Sequence, residues 1–426
     1  MSPKWAWHRL LVAAVAVHAW SVWSVASQPL DGASPPAAPR FATARLHFDA
    51  VHFPGPGADF FALYHAGVQA RRGMSPYDRN ESPRVTPYFF KFIYSPIIAA
   101  TLGRFVTMLA PQTAYYLWVA VIETCLAASL LVFWRSTRHE AARTSGAFLL
   151  LVSQPYILEL HMGQFTFVAA ALTVLAAALV DRTARAPRDV VGAGPLFLAA
   201  GLLKTFPFLA LPAFARHRRG AVVALTAMLG LAAVAVWTWL GHSGGRFASG
   251  FVLIDPFDGP HAGTFSLLQT IFLLWLVATG TWAPAILPLL PLAAMVVTLG
   301  WTAWRVLRWS EDDVVLPAAV MLLAFFLAFL HVWEHHYSAV LLIGVFMLGR
   351  HADSPNAPPE LVPRIAATLS VIAAPTPYLL FAQDPSQWSM GAWLLMSMSK
   401  AVPTAVIFAI GMRALRTQPH AVVYAP

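Results

Sequence analysis

The sequence predicts an all-α polytopic membrane protein, a single transmembrane domain over 1–426 with about twelve membrane helices that include one short re-entrant pair. Two observations decide the class. Only 11% of the 426 residues are charged and 58% are hydrophobic, whereas a soluble domain carries roughly 25% charged residues. The apolar residues also fall in repeated runs of about 17–25 positions, long enough to cross hydrocarbon, separated by short basic loops. Those runs are apolar throughout rather than alternating, which fits helices and not a barrel.

The net charge of +9 is spread over these short loops rather than gathered in one domain. The expected partner is therefore a lipid bilayer and not nucleic acid. The single cysteine, Cys125, lies inside an apolar run, so there is no disulfide framework, and the residue reads as a small hydrophobe.

The positive-inside rule threads the elements in order. Residues 7–26 cross outward; within the N-terminus, Lys4 and Arg9 precede an apolar run from Leu10 to Ala26 that, with Ser27, resembles a signal peptide. An uncleaved signal-anchor is the better reading, because the spans that follow require the next loop to be outside. The next crossing, 112–134, ends in Arg135, Arg138 and Arg143. Residues 27–111 are thus one long external loop. Its apolar piece 93–110 is not a span, since counting it would invert every later basic loop. Spans at about 144–161 and 165–180 return to Arg182, Arg185 and Arg188. Residues 190–214 have basic residues at both ends, which makes them a re-entrant helix pair broken near Thr205-Phe206-Pro207, with Lys204 at the tip. Residues 221–241 cross outward, and 242–283 form a second external loop with an amphipathic stretch at 264–276. Crossings at about 285–306, 314–331, 336–349, 365–381 and 388–411 complete the bundle, and Arg305, Arg308, Arg350, Arg364, Arg413 and Arg416 land inside. The Pro/Ala-rich 33–39 and Pro-rich 354–363 read as linkers.

The long first loop holds the most informative acid, Asp59. Phe60, Leu63, Tyr64 and Gly67 follow it at helical spacing, and the pattern ends at Gly73 after Arg71 and Arg72. This describes an interfacial helix with a carboxylate at its N-terminal end, where the dipole favours ionisation. Asp59 is either an N-cap or a functional acid. A second amphipathic element follows from Phe92. The loop is locally basic, which suits an anionic substrate headgroup or equally an anionic lipid surface.

Several patches together resemble a known family. They are Asp59-Phe60 with Tyr64, Ala66-Gly67, Gly73-x-x-Pro76-Tyr77-Asp78, Tyr94-x-Pro96, Gly163-Gln164, Ala193-Gly194 through Leu203-Lys204-x-x-Pro207, and Trp333-x-His335-His336-Tyr337. In order and spacing they are similar to the polyprenyl-phosphate-sugar-dependent glycosyltransferases of family 87, membrane enzymes of the C-type fold. That family is typified by the alpha-1,2-mannosyltransferases of phosphatidylinositol mannoside synthesis. The chain departs from it in two places. Relatives often carry an Asn-Gln-Ser-type patch in the second external loop, where the nearest match here is Thr264-Phe265-Ser266-Leu267-Leu268. The Pro-rich 27–56 has no counterpart.

The resemblance implies a C-type bundle whose first external loop carries two interfacial helices and the catalytic acid. Asp59 would be the general base of an inverting transfer of a sugar, mannose by analogy, from a polyprenyl-phosphate donor to a glycolipid or glycan acceptor. The site would lie on the external face of the cytoplasmic membrane, with both termini inside. A phosphate leaving group needs no acid, so one carboxylate suffices. Charge developing on that phosphate calls for cations or strong donors. The candidates are His336, His335, Lys204, Arg71, Arg72 and Lys91, with Tyr64, Tyr94 and Gln164 as further substrate contacts. No cofactor and no metal are expected. His331, Glu334, His335 and His336 resemble a ligand cluster by composition, but adjacent helical residues point about 100° apart. Glu159 and His161 read as wet residues at the end of their span. Glu123 sits mid-span and requires a partner or a proton. Two other classes compete: a lipid or glycan transporter or flippase, and a polyprenyl-diphosphate-dependent ligase or polymerase.

Overall fold

The computed structural model describes residues 3–28, 46–47, 55–77, 90–182, 188–240, 265–280, 289–355, 357–381 and 384–416. The linker 33–39, Asp78, Thr264 and most of the 242–283 loop lie outside the described residues, as does most of the Pro-rich 27–56. Apolar runs without β-branched alternation fold as helices, because in hydrocarbon each backbone polar group must be satisfied within its own segment. No β-strand occurs among the described residues.

Among the described residues, four helices are long and apolar enough to cross a membrane: Trp7–Ala26 within α1 (Pro3–Ala26), α4 (Pro111–Ser136), α10 (Gly220–Leu240) and α16 (Met390–Ala414). A fifth is available if Glu140–Met162 and Thr166–Asp181, bent by 116° at a short break, count as one span. The chain is thus a helical membrane protein with exposed Val12, Trp23, Trp239 and Leu240 on its outer faces.

Several runs that the sequence presents as spans form shorter helices. These are α13 (Val315–Ala328), α14 (Tyr337–Ala352) and α15 (Leu361–Ala373), of 14, 16 and 13 residues. Helices α13 and α14 are apolar all round because protein surrounds them: all but one residue of α13 is buried. They pack on each other, with α14 also against α5 (Glu140–Leu151), α7 (Thr166–Arg182) and α15.

The segment 190–214 forms α8 (Arg188–Leu203) and a second helical piece, α9 (Phe206–Ala215), separated by Lys204 and Thr205. Pro207 opens the second piece, where its missing N–H is harmless. In the first loop, α2 (Ala58–Arg71) is followed by α3 (Pro96–Val106), whose middle widens into a π-type turn over Ala99–Gly103. At 1.5 Å per residue α3 is about 16 Å long, half a hydrocarbon core. Helix α2 is not laid on a surface with one wet face: 12 of its 14 residues are buried, because α3, α4 and α6 (Gln154–Met162) pack around it.

Candidate active site

The site begins with two tight backbone turns that face each other. Helix α6 ends at Gly163, whose φ of 64° is left-handed. The Gln164 N–H reaches the Glu159 carbonyl at 3.1 Å and the Gly163 N–H reaches that of Leu160 at 3.2 Å, the paired bonds of a Schellman turn. Only glycine fits there: a Cβ would also lie 2.6 Å from the Phe60 Cβ. Opposite, Gly57 caps the start of α2, and its N–H donates to the His161 carbonyl at 2.7 Å. The Tyr115 hydroxyl secures the same strip by donating to Leu160 and His161.

Asp59 is therefore not the N-cap. It lies in the first turn of α2, with Gly57 as the cap and no side-chain capping bond. The residue is 7% exposed; its carboxyl takes a hydrogen bond from Gln164, while the charge of Lys204 acts on it. The second oxygen, Oδ2, is fully buried with no hydrogen-bond partner among the described residues. Around it stand Phe60, stacked on Trp118 at 6.3 Å, then Phe165 at 4.9 Å from Trp118, and Tyr94 edge-on to Phe165 at 4.9 Å. Burial in this aromatic wall disfavours the charged carboxylate more than Lys204 and Gln164 favour it, so the Asp59 pKa is pushed up to about 7.

Five of the other expected residues meet there. The Gln164 Oε1 accepts from the Tyr94 hydroxyl at 3.4 Å and from the Phe165 N–H at 2.9 Å. The Lys204 ammonium lies 4.9 Å from the centroid of the Tyr94 ring, a cation–π contact. Phe206, stacked on Phe325 at 5.5 Å, anchors the α8–α9 tip that carries this lysine. His335 and His336, just before α14, have ring centroids 4.4 Å apart and lie within the field of Lys204. The His336 Nδ1 accepts the Trp333 N–H at 3.1 Å, so the neutral ring carries its proton on Nε2 and offers a donor.

The remaining four lie elsewhere. The Tyr64 hydroxyl donates to the Leu109 carbonyl at 2.8 Å and ties α2 to the loop after α3. Arg71 binds the Thr107 carbonyl at 3.0 Å, and with exposed Arg72 it sits at the far end of α2, about 18 Å of helix from Asp59. Lys91 is exposed.

Glu159 and His161 stand differently from their sequence reading, whereas Glu123 has the partner its position requires. Glu159 is not wet: it is 0% exposed, and accepts the Phe167 N–H at 2.7 Å and the Ser338 hydroxyl at 3.1 Å. His161 is likewise buried. Glu123 has partners from distant helices, His18 at 3.0 Å and the Tyr156 hydroxyl at 2.9 Å. The Phe265-Ser266 patch is structural at its described positions. Ser266 caps α11 (Leu267–Thr279) through Gln269, and the Phe265 N–H pairs with the Val332 carbonyl.

Residues 92–332, more than half of the 426, match the model of glycosyltransferase family 87. The chain belongs to glycosyltransferase family 87. The match takes in Tyr94, Glu159, Gln164 and Lys204 of this family 87 chain and ends just before His335, whereas Asp59 lies upstream of it. No curated protein matches the chain.

Proposed function

We propose that the protein is an inverting glycosyltransferase that moves a sugar, mannose in our reading, from a polyprenyl-phosphate donor to a glycolipid or glycan acceptor. The proposed site faces outward at the cytoplasmic membrane, and Asp59 is the general base. One observation carries this reading: a buried carboxyl with an unpartnered oxygen, basic at neutral pH, in the field of a lysine.

Asp59 Oδ2 takes the proton of the acceptor hydroxyl as that oxygen forms its bond to the anomeric carbon. The bond from that carbon to the phosphate oxygen breaks on the opposite face, which inverts the centre. A β-linked donor would then give an α-mannoside, similar to the alpha-1,2-mannosyltransferases. The electron pair leaves with polyprenyl phosphate. Lys204 and the Nε2–H of His336, with His335 beside it, are placed to stabilise the charge that develops there. Gln164 and Tyr94 orient the base. Removing water from around the carboxyl raises its proton affinity, which is what a base for a weakly acidic sugar hydroxyl requires.

The test is reconstitution in liposomes with polyprenyl-phosphate-mannose, comparing wild type with Asp59→Asn. Donor binding should persist while turnover falls by about 10²–10⁴-fold, the usual contribution of a positioned base. An Asp59→Asn enzyme that transfers sugar at the normal rate would falsify the assignment.

A further inference from the structure

The His335-His336 pair is carried by a three-residue 3₁₀ turn, Glu334–His336, which leads into α14. So short a turn has little hydrogen bonding of its own; here the His336 N–H reaches the Trp333 carbonyl at 3.0 Å. Its place is set from outside. The Phe265 N–H meets the Val332 carbonyl at 2.8 Å before the turn, and the Tyr337 hydroxyl donates to the Phe265 carbonyl after it. Within the turn stands Glu334, 0% exposed and without a task in the mechanism above. Its Oε1 accepts the Thr376 hydroxyl at 3.0 Å and lies 3.5 Å from the His47 Nδ1. Packing alone would be served by an apolar side chain at lower cost, whereas a buried carboxyl depends on its hydrogen bonds.

Thr376 is itself firmly held. It follows α15 between Pro375 and Pro377, which have no N–H to offer the carbonyls left open at that helix end. Lys400, 1% exposed in the middle of α16, satisfies them instead. Its Nζ donates to the carbonyls of Val371 at 3.0 Å, Ile372 at 2.9 Å and Ala374. Three acceptors occupy all three N–H groups of an ammonium and fix the end of α15 against α16. Direct contacts therefore run from Lys400 through the end of α15 and Thr376 to Glu334, the residue next to the histidine pair. We infer that Glu334 and Thr376 are positioning residues for glycosyl transfer: their hydrogen bond holds the His335-His336 turn in place, so that the Nε2–H of His336 meets the donor phosphate already oriented. The inference rests on the reading of that pair as phosphate contacts.

Equilibrium binding of radiolabelled polyprenyl phosphate, the leaving group, to the purified full chain in detergent tests it. Thr376→Val keeps the shape of the side chain and deletes the donor. Its Kd should rise about tenfold, the low end of what losing an orienting partner costs a ligating histidine. Thr376→Ser restores a hydroxyl and should bind within about twofold of wild type. A merely structural role would lower the number of sites and leave the Kd of the folded fraction unchanged. That result overturns the inference, as does wild-type binding by Thr376→Val. Should Thr376→Val not fold, Glu334→Gln, whose amide oxygen still accepts from Thr376, is set against Glu334→Leu, which cannot. The leucine variant should bind about tenfold more weakly, and equal affinities overturn the inference. Weakened binding by His336→Ala with unaltered binding by Thr376→Val removes this inference alone, whereas wild-type binding by His336→Ala removes the phosphate contact on which it rests.

Discussion

Asp59 accepts a proton only when ionised, and burial places its midpoint at about 7. The sign follows from that. Below the midpoint the carboxyl already holds a proton and the base is absent; above it the carboxylate is present and the rate levels off. Initial rates in proteoliposomes should therefore give a kcat/KM that drops about tenfold per pH unit on the acid side of pH 7, and that acid limb should vanish with Asp59→Asn. A flat profile between pH 5 and 8 would contradict the assigned role. The residues of the candidate site that can be read in the sequence are those whose polarity is out of place in an apolar run: Asp59, Gln164, Lys204 and the His335-His336 pair. Arg71, Arg72 and Lys91 looked equally good because they share a loop with Asp59, but helix geometry carries the two arginines to the other end of α2. Glu159 was misread because hydropathy gives depth along a span and says nothing of neighbours. Its burial depends on Ser338, 179 positions away in sequence.

At the scale of elements, the position of Asp59 is set by how closely α2 lies on α3. Gly67 faces Gly103 there, and a Cβ on Gly67 would overlap the Gly103 carbonyl, while one on Gly103 would lie 3.0 Å from the Gly67 Cα. The backbones touch because neither residue has a side chain. Gly67→Ala should destabilise the protein by about 1–3 kcal/mol, the usual range for overpacking. It should also cut turnover more than donor binding, because α2 must shift and carry Asp59 with it. Gly192→Ala in α8 is the control: it meets nothing within 4 Å and should be neutral or slightly stabilising. Thermal melts with parallel rate measurements separate the two, and equal behaviour of both variants would show that the close approach does not position the acid. The boundary of α2 was readable from Asp59 and Gly73, and the break at Lys204 from Pro207. The π-type turn over Ala99–Gly103 was not, since nothing in Ala99-Ala100-Thr101-Leu102-Gly103 differs from ordinary helix-forming sequence. The shortness of α13 to α15 was hidden for a related reason: apolarity that marks a span also marks a helix buried among other helices.

For the whole molecule, the decisive feature is that the arginine-bearing loops are tied together at one end, opposite the Asp59 cluster. Asp353 at the end of α14 accepts the N–H groups of Arg138 and His139, and Asp181 at the end of α7 accepts the Val314 N–H at 2.7 Å and pairs with Arg350. Arg216 after α9 binds the carbonyls of Trp309, Glu311 and Asp313. The loops following α4, α7, α9, α12 (Leu289–Arg308) and α14 thus meet at one basic end. Helix α14 starts beside His336 in the Asp59 cluster and finishes at that basic end, about 24 Å away. We propose, on the positive-inside rule, that the arginine-rich end is cytoplasmic and the acid cluster faces outward. Two single-cysteine proteins test this in a Cys125→Ala background, which removes the one native thiol. Ser75 adjoins Tyr77, whose hydroxyl donates to the Tyr94 carbonyl beside the site, and Ser354 follows Asp353 at the basic end. In intact cells a membrane-impermeant maleimide should label Ser75→Cys and spare Ser354→Cys until the membrane is permeabilised. If Ser354→Cys reacts from outside, or Ser75→Cys reacts only after permeabilisation, the orientation is inverted. A donor presented on the outer face could then not reach Asp59.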